Sequence, residues 1–181
     1  MDLNEEQFAR LYENCMKLYT YRHIDQPTCQ TPDFSRVNSI DALHLATKNL
    51  VISFNQKYSS GTVIQAAACA HKYNSKNALL IVFEDIPLKK TRSIDQNGVH
   101  VKVINANDML QDIFEHPLVP RQRLLNDDEK VTIMNRMHVS LEQMAKMSID
   151  DPVSVRLGAL RGDIVEIERG QKDDIFYRAV L

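Results

Sequence analysis

Apolar and polar side chains alternate near the N-terminus with the period of an α-helix. The apolar positions recur three or four residues apart, at Phe8, Leu11, Tyr12, Cys15, Leu18 and Tyr19. Residues at this spacing share one face of a helix. Asn4 and Gln7 have the spacing of a capping pair, which satisfies the first backbone amides of a helix. The pattern therefore predicts a helix of about five turns that ends near Arg22 and His23.

The pattern then changes to one that predicts an α/β domain. Residues 25–40 are rich in Pro, Ser, Thr and Asn, and are predicted to form a long loop. Short apolar runs predict three strands, at 49–54, 78–83 and 99–104. Helical segments are predicted between and after them: one beginning at Ser59, a short one from Pro87 to Asn97-Gly98, and a turn at 107–113. Alternating strands and helices imply a small parallel or mixed sheet.

Two prolines mark a predicted domain boundary. Pro117 and Pro120 lie in the segment His116–Pro120, and two prolines so close together prevent a regular element. We therefore expect an N-terminal α/β domain at 1–114 and a C-terminal α+β domain at 115–181.

Capping residues predict the elements of the C-terminal domain. Helices are expected to begin at three polar positions: Asn126, with Glu129 completing a capping box and Met137 near the end; Ser140, with Gln143; and Asp151, with Pro152 in the first turn. Gly158 is expected to end the third helix. The segments 163–169 and 175–181 are predicted to pair as a β-hairpin.

Composition narrows the classes of function. The 181 residues include 22 Lys and Arg against 24 Asp and Glu, for a net charge of −2, whereas a free-standing nucleic-acid binder usually carries a basic surplus. Cys15, Cys29 and Cys69 lack the paired spacing of zinc sites or disulfide frameworks. There is no apolar run of membrane-spanning length, and the acidic N-terminus is unlike a signal peptide. We expect an intracellular, soluble protein without metal or cofactor.

Few residues suggest catalysis. The chain has no glycine-rich phosphate loop and no nucleophile motif, and its six histidines are scattered singly. Glu84 and Asp85 follow a predicted buried strand, where α/β proteins often place functional carboxylates, but a chain leaving the core also needs solvated residues there. Lys89, Lys90 and Arg92 are the densest basic group and are candidates for contact with a nucleic-acid backbone, although a solvated helix face would look the same.

The residues from His116 to Leu181 resemble the C-terminal assembly domain of the fifth, common subunit of eukaryotic RNA polymerases and of its archaeal counterpart, the H-type polymerase subunit. The matching motifs follow in order: His116-Pro117-Leu118-Val119-Pro120, Asn126 with Glu129-Lys130, Val139-Ser140-Leu141-Glu142-Gln143, Asp151-Pro152-Val153, Leu157-Gly158, Arg161-Gly162, Val165, Ile167, Arg169 and Tyr177-Arg178. Each motif alone is short, and their joint order over about 65 residues carries the resemblance.

The resemblance implies a non-catalytic subunit of a DNA-directed RNA polymerase. It implies that the C-terminal domain docks on the largest catalytic subunit, and that the N-terminal domain forms a jaw beside downstream DNA. The residues expected at the assembly interface are Pro117, Pro120, Asp151, Pro152, Val153, Gly158, Arg161, Gly162, Arg169, Tyr177 and Arg178. The location expected is the nucleus, or the cytoplasm or a virion if the polymerase belongs to a large DNA virus.

Two other functions are compatible with the sequence. One is a metal-dependent nuclease on the N-terminal domain, with Glu84 and Asp85 as ligands. The other is a free transcription regulator that uses the assembly domain without joining a polymerase. The recovery or absence of large polymerase subunits with the purified chain would distinguish these alternatives.

Overall fold

A computed structural model describes residues 3–27, 43–87, 93–170 and 174–181. The chain divides into two compact units, Met1–Gln111 and Asp112–Leu181. Both contain a mixed β-sheet with helices, so the architecture is α/β with mixed sheets. Within the residues described, no helix has the length and apolar character needed to cross a membrane.

Unit 1 is built on a five-stranded sheet. Its helices are α1 (Glu5–Tyr21), α2 (Ser60–Lys72) and α3 (Ala106–Met109), and its strands are β1 (Leu43–Ala46), β2 (Val51–Asn55), β3 (Asn77–Val82), β4 (Ser93–Gln96) and β5 (Val99–Asn105). The strand order is β1-β2-β3-β5-β4. The three central strands are parallel, and β1 and β4 are antiparallel edges. The predicted strands thus form the centre of the sheet.

Helices cover both faces of this sheet. On one face, α1 packs Phe8 against Phe54 and Phe83, with ring centroids 6.1 and 5.9 Å apart respectively, and the Tyr19 hydroxyl donates to the Leu45 carbonyl at 2.8 Å. On the other face, the small side chains of α2, including Ala66, pack into a core cluster with alternate residues of the parallel strands. The capping pair expected at the start of α1 is present, and α2 begins after Ser59, as predicted, with a capping box formed by Ser59 and Thr62.

The short helix predicted from Pro87 to Asn97-Gly98 is wrong. Residues 93–96 form strand β4, which pairs with β5, and residues 88–92 are outside the described part of the chain. Asn97 and Gly98 have φ values of 51° and 79°, as in the two-residue type I′ turn that joins antiparallel strands. The Asn-Gly pair therefore turns a hairpin instead of ending a helix.

Unit 2 is built on a four-stranded sheet. It begins with a 3₁₀ turn at Ile113–Glu115 and contains β6 (Arg121–Leu124), α4 (Asp127–Met137), β7 (Ala145–Met147), α5 (Pro152–Leu157), β8 (Ile164–Glu168) and β9 (Ile175–Val180). The order is β6-β8-β9-β7, antiparallel except where β7 runs parallel to β9. The predicted hairpin is confirmed as β8 and β9.

A small core joins α4 to one face of this sheet. Ile133 of α4 packs in a buried cluster with Leu125, Met144, Ile164 and Ala179.

The helix predicted at Ser140–Gln143 is wrong, because these residues form a single turn that leads into β7. One half of the expected capping pair is present: the Ser140 amide donates to Gln143 Oε1 at 2.8 Å. The following residues join the edge of the sheet, so the turn does not continue as a helix.

Candidate partner-binding surface

The motif Asp151-Pro152-Val153 forms the start of α5, as its residue types predict. Asp151 Oδ1 accepts from the Val153 amide at 2.8 Å, and Pro152 occupies the first turn, where no amide hydrogen is needed. Pro152 is exposed, while Val153 is only 8% exposed. Gly158 ends the helix in the left-handed region with φ 72°, a conformation that costs other residues energy.

A second turn links α5 to the hairpin. The Leu160 amide donates to Asp163 Oδ2 at 2.8 Å, and the Gly162 amide donates to the Val180 carbonyl at 2.9 Å. Asp163 Oδ1 also accepts from Lys130 Nζ at 2.6 Å. The turn is therefore fixed on both sides, and Leu160 and Arg161 at its tip are exposed.

The arginines of the predicted interface lie in different environments. Arg161 and Arg169 are exposed, and the Arg169 guanidinium lies 4.8 Å from the centre of the Phe176 ring. Arg178 is half-buried on β9. Arg156, the arginine within α5, is 4% exposed and donates to the Pro152 carbonyl at 3.2 Å, so it supports α5 from within.

The remaining predicted residues lie at the start of the unit and on β9. Pro117 is exposed and Pro120 is half-buried, on either side of Leu118, which is 85% exposed. Tyr177 is half-buried, and its hydroxyl accepts from Arg136 Nη2 at 3.2 Å. The structure thus distributes the predicted set over several parts of unit 2 and does not gather it into one compact site.

Exposed apolar side chains are the feature that sequence reasoning missed. Among the described residues, nine large apolar side chains are exposed, and seven of them lie in unit 2: Leu118, Val131, Met137, Leu160, Ile175, Phe176 and Leu181. Unit 2 is the smaller unit, so its size does not explain why most of the exposed apolar side chains lie in it. Leu160 had a sequence signal, since it is an apolar residue between two glycine turns.

Sequence reasoning also missed a charged network beside α4. Arg123 Nε donates to Glu166 Oε1 at 2.7 Å, and Arg123 Nη1 donates to both carboxylate oxygens of Glu129, at 2.9 and 3.0 Å. Burial works to lower the pKa of Arg123, but the hydrogen bonds to Glu129 and Glu166 outweigh it and raise that pKa. The Asn126 amide and Arg123 lower the pKa of Glu129. The network therefore favours the charged forms of Arg123 and Glu129.

Glu84 and Asp85 are placed where a loop leaves the sheet. Both are exposed. Glu84 Oε2 accepts from the Tyr58 amide at 3.2 Å, which connects the loops that follow β3 and β2 at the same end of the sheet. Over the described ranges, no group of three or more His, Cys, Asp or Glu side chains could hold a metal ion. Lys89, Lys90 and Arg92, the candidate DNA contacts, lie outside the residues described.

Comparison with known proteins points to one family. Residues 111–180 match the family model described as RNA polymerase Rpb5, C-terminal domain. DNA-directed RNA polymerase subunit Rpo5 of Thermococcus onnurineus is 40% identical over 58 residues, which cover 32% of this chain and 71% of that protein. The same subunit of Thermococcus celer is 36% identical over 66 residues, covering 36% of this chain and 80% of that protein.

A longer match extends into unit 1. DNA-directed RNA polymerase V subunit 5A of Arabidopsis thaliana is 24% identical over 148 residues, which cover 78% of this chain and 66% of that protein. The family expected from the ordered motifs of unit 2 is thereby confirmed. The chain belongs to the family of fifth subunits of DNA-directed RNA polymerases.

Proposed function

We propose that this chain is a non-catalytic structural subunit that docks through unit 2 on the largest subunit of an RNA polymerase. Unit 1 is proposed to form part of the jaw beside downstream DNA. Under this proposal the chain works where the polymerase works, in the nucleus or, for a viral enzyme, in the cytoplasm or virion. The chain supplies binding surfaces, and the nucleotide chemistry belongs to the large subunits.

The distribution of exposed apolar side chains carries the docking proposal. Single apolar residues are ordinary on protein surfaces, but a strong bias of exposed apolar side chains toward one of two units favours contact of that unit with a partner. Seven of the nine such side chains among the described residues lie in unit 2. The same unit carries the family match, so most of the exposed apolar side chains and the resemblance fall in one unit.

Among these exposed apolar side chains, Leu160 is the one best suited to act as an anchor. Leu160 is 49% exposed, and its amide is held by Asp163 while the adjoining Gly162 amide is held by β9. An apolar side chain on a fixed turn loses little conformational entropy when it is covered. The neighbouring Arg161 guanidinium can add planar hydrogen bonds to carboxylates or carbonyls of a partner.

The test is recovery of the tagged full-length chain from its native cell, with mass spectrometry of the proteins that elute. We expect the two largest polymerase subunits in near-equal amounts, and cross-links from unit 2 to the largest one. Leu160→Asp should greatly reduce this recovery, because it places a charge on a surface that must lose water. Ile64→Asp is the matched control, since Ile64 is 51% exposed on α2 of unit 1.

Three results would contradict the proposal in different ways. A wild-type chain that elutes without polymerase subunits would favour the free regulator. Full recovery with Leu160→Asp would remove this turn from the docking surface. Loss of recovery with Ile64→Asp but not with Leu160→Asp would transfer docking to unit 1.

A further inference from the structure

A pocket of about 320 Å³ lies at the end of the unit 2 sheet and is separate from the Leu160 turn. Its lining residues are Phe114, Pro120, Arg121, Gln122, Arg123, Glu166 and Glu168. The volume is at the lower limit of small-molecule sites. It therefore suits one or two side chains of a partner better than a nucleotide or a cofactor.

A largely buried carboxylate lies in the wall of this pocket. Glu166 is 9% exposed, and its Oε1 accepts from Arg123. Its Oε2 accepts no hydrogen bond from the described residues, and this oxygen is not fully enclosed. This oxygen therefore keeps some accessible surface in a residue that lines the pocket, and a buried carboxylate with an unused acceptor favours a hydrogen-bond donor.

The positive charge of Arg123 is divided between one carboxylate in the pocket wall and one outside it. Glu166 is the carboxylate in the wall, and Glu129 is the one outside it. Arg121 and Glu168 lie opposite each other on β6 and β8 and cancel. Neither side chain has a hydrogen bond or an ion pair within the part of the chain that the structure describes. The four charged side chains of the lining therefore sum to zero, and Glu129, outside the lining, draws on the charge of Arg123. Both carboxylates of the wall can accept further hydrogen bonds.

The remaining walls favour a planar cation. Phe114 and Pro120 supply an aromatic ring and a flat apolar ring, on which a guanidinium group stacks well. A guanidinium also has five N–H donors, enough to reach Glu166 and Glu168 together. A lysine ammonium group can satisfy the charge, but it cannot satisfy the stacking surface equally well.

We infer that this pocket receives an arginine side chain of the polymerase subunit on which unit 2 docks. The guanidinium would stack on Phe114 and bond to Glu166 and Glu168. This inference rests on the proposed function, since it names a contact within that docking. It concerns a second contact region, so the docking proposal and the pocket can fail separately.

The experiment measures how fast polymerase subunits dissociate from the tagged full-length chain after capture from the native cell. Glu168→Gln should speed dissociation about tenfold, because it removes a charged acceptor from an interface contact. Glu168→Arg should abolish retention, because it replaces a negative charge of the pocket lining by a positive one. Glu168 is exposed, so neither variant should disturb folding. Glu142→Gln, an exposed glutamate away from the pocket, is the control and should match the wild type.

A cross-link identifies the occupant. A photoreactive p-benzoylphenylalanine in place of Ile175, which pairs with Glu168 and is 43% exposed, should capture a polymerase peptide that contains arginine. A captured peptide without arginine would overturn the inference. Wild-type retention in both Glu168 variants would also overturn it, while leaving the docking proposal intact. Failure of the wild-type chain to retain any polymerase subunit would overturn both.

Discussion

The two units use their apolar side chains differently. Unit 1 covers both faces of its sheet with helices, and of its described large apolar side chains only Ile64 and Tyr73 are exposed. Unit 2 buries a smaller cluster around Ile133 and Ile164, and leaves seven large apolar side chains exposed. Unit 1 therefore resembles a self-sufficient domain, whereas unit 2 resembles a domain whose surface is completed by a partner.

The polar interactions differ in the same direction. In unit 1 neutral long-range hydrogen bonds hold α1 in place: Asn14 of α1 donates to the Met109 carbonyl of α3 at 2.9 Å, and the Tyr19 hydroxyl donates to the Leu45 carbonyl of β1. In unit 2 ion pairs hold α4 in place. Arg123 of β6 pairs with Glu129 of α4 and with Glu166 of β8, and Lys130 of α4 pairs with Asp163 in the turn before β8. Unit 2 has less apolar area to bury, and the partial exposure of Arg123 and Glu129 keeps the contribution of their ion pair modest.

Removing a large core side chain from unit 1 should give the largest loss of stability. Phe8 is fully buried between Phe54 and Phe83, so Phe8→Ala should cost about 3–5 kcal/mol of unfolding free energy. Denaturant unfolding measures the loss, and hydrogen exchange should locate it in the amides of the unit 1 sheet. Ile64→Ala, at an exposed position, should change stability by less than about 0.5 kcal/mol. A small loss with Phe8→Ala would mean that α1 is not essential to the core.

Glycine substitutions should have opposite effects in the two units. Gly158 has φ 72°, so Gly158→Ala should destabilise unit 2 by about 1–2 kcal/mol. Gly61 lies in α2, where an added Cβ would meet only Ser59 Oγ at 3.5 Å, and Gly61→Ala should stabilise unit 1 by about 0.5–1 kcal/mol. Thermal unfolding of both variants checks the signs. Effects of the same sign would contradict either the left-handed backbone at Gly158 or the helical backbone at Gly61.

The comparison also shows which elements a sequence can reveal. The strands that were predicted, β2, β3, β5, β8 and β9, lie mainly inside their sheets, where apolar runs mark them. The four that were missed, β1, β4, β6 and β7, are the four edge strands. Their residues are mixed in burial, because an edge strand has one neighbour and faces solvent on its other side. Their pairing depends on tertiary contacts that local patterns do not record.

The residues of the candidate site differ in the same way: those that depend on local chemistry were predictable, and those that depend on strand pairing were not. Asp151, Pro152 and Gly158 were predictable, because a cap and a left-handed turn are local chemistry. The pairing of Arg123 with Glu166, 43 residues apart, depends on the register of β6 and β8. Since β6 was not predicted, the charged network and the pocket beside it could not be predicted either.

Loss of the α5 cap should have a smaller effect on unit 2. Asp151 Oδ1 accepts from the Val153 amide at 2.8 Å, and Asp151→Ala should cost about 1 kcal/mol. Asp151→Asn or Asp151→Ser should recover most of that loss, because either side chain can cap the helix. Asp174→Ala, at an exposed position on the hairpin, is the control and should stay within about 0.5 kcal/mol of the wild type. Thermal unfolding measures all of these variants, and an Asp151→Ala variant as stable as the wild type would show that Pro152 alone fixes the start of α5.

The smallest effect should appear in acid. The Asn126 amide and the Arg123 guanidinium lower the pKa of Glu129 in the folded chain, whereas an unfolded glutamate has a pKa of about 4.3. A group with a depressed folded pKa contributes stability above its unfolded pKa, and that contribution is lost as the pH falls through the folded value. The unfolding free energy of unit 2 should therefore decrease below about pH 4, and Glu129→Gln should make this decrease shallower. Glu142→Gln, an exposed glutamate without an ion pair in the described chain, should keep the wild-type slope. Thermal unfolding from pH 6 to pH 3 measures the difference, and identical slopes for Glu129→Gln and the wild type would show that the Arg123 network does not contribute to the stability of unit 2.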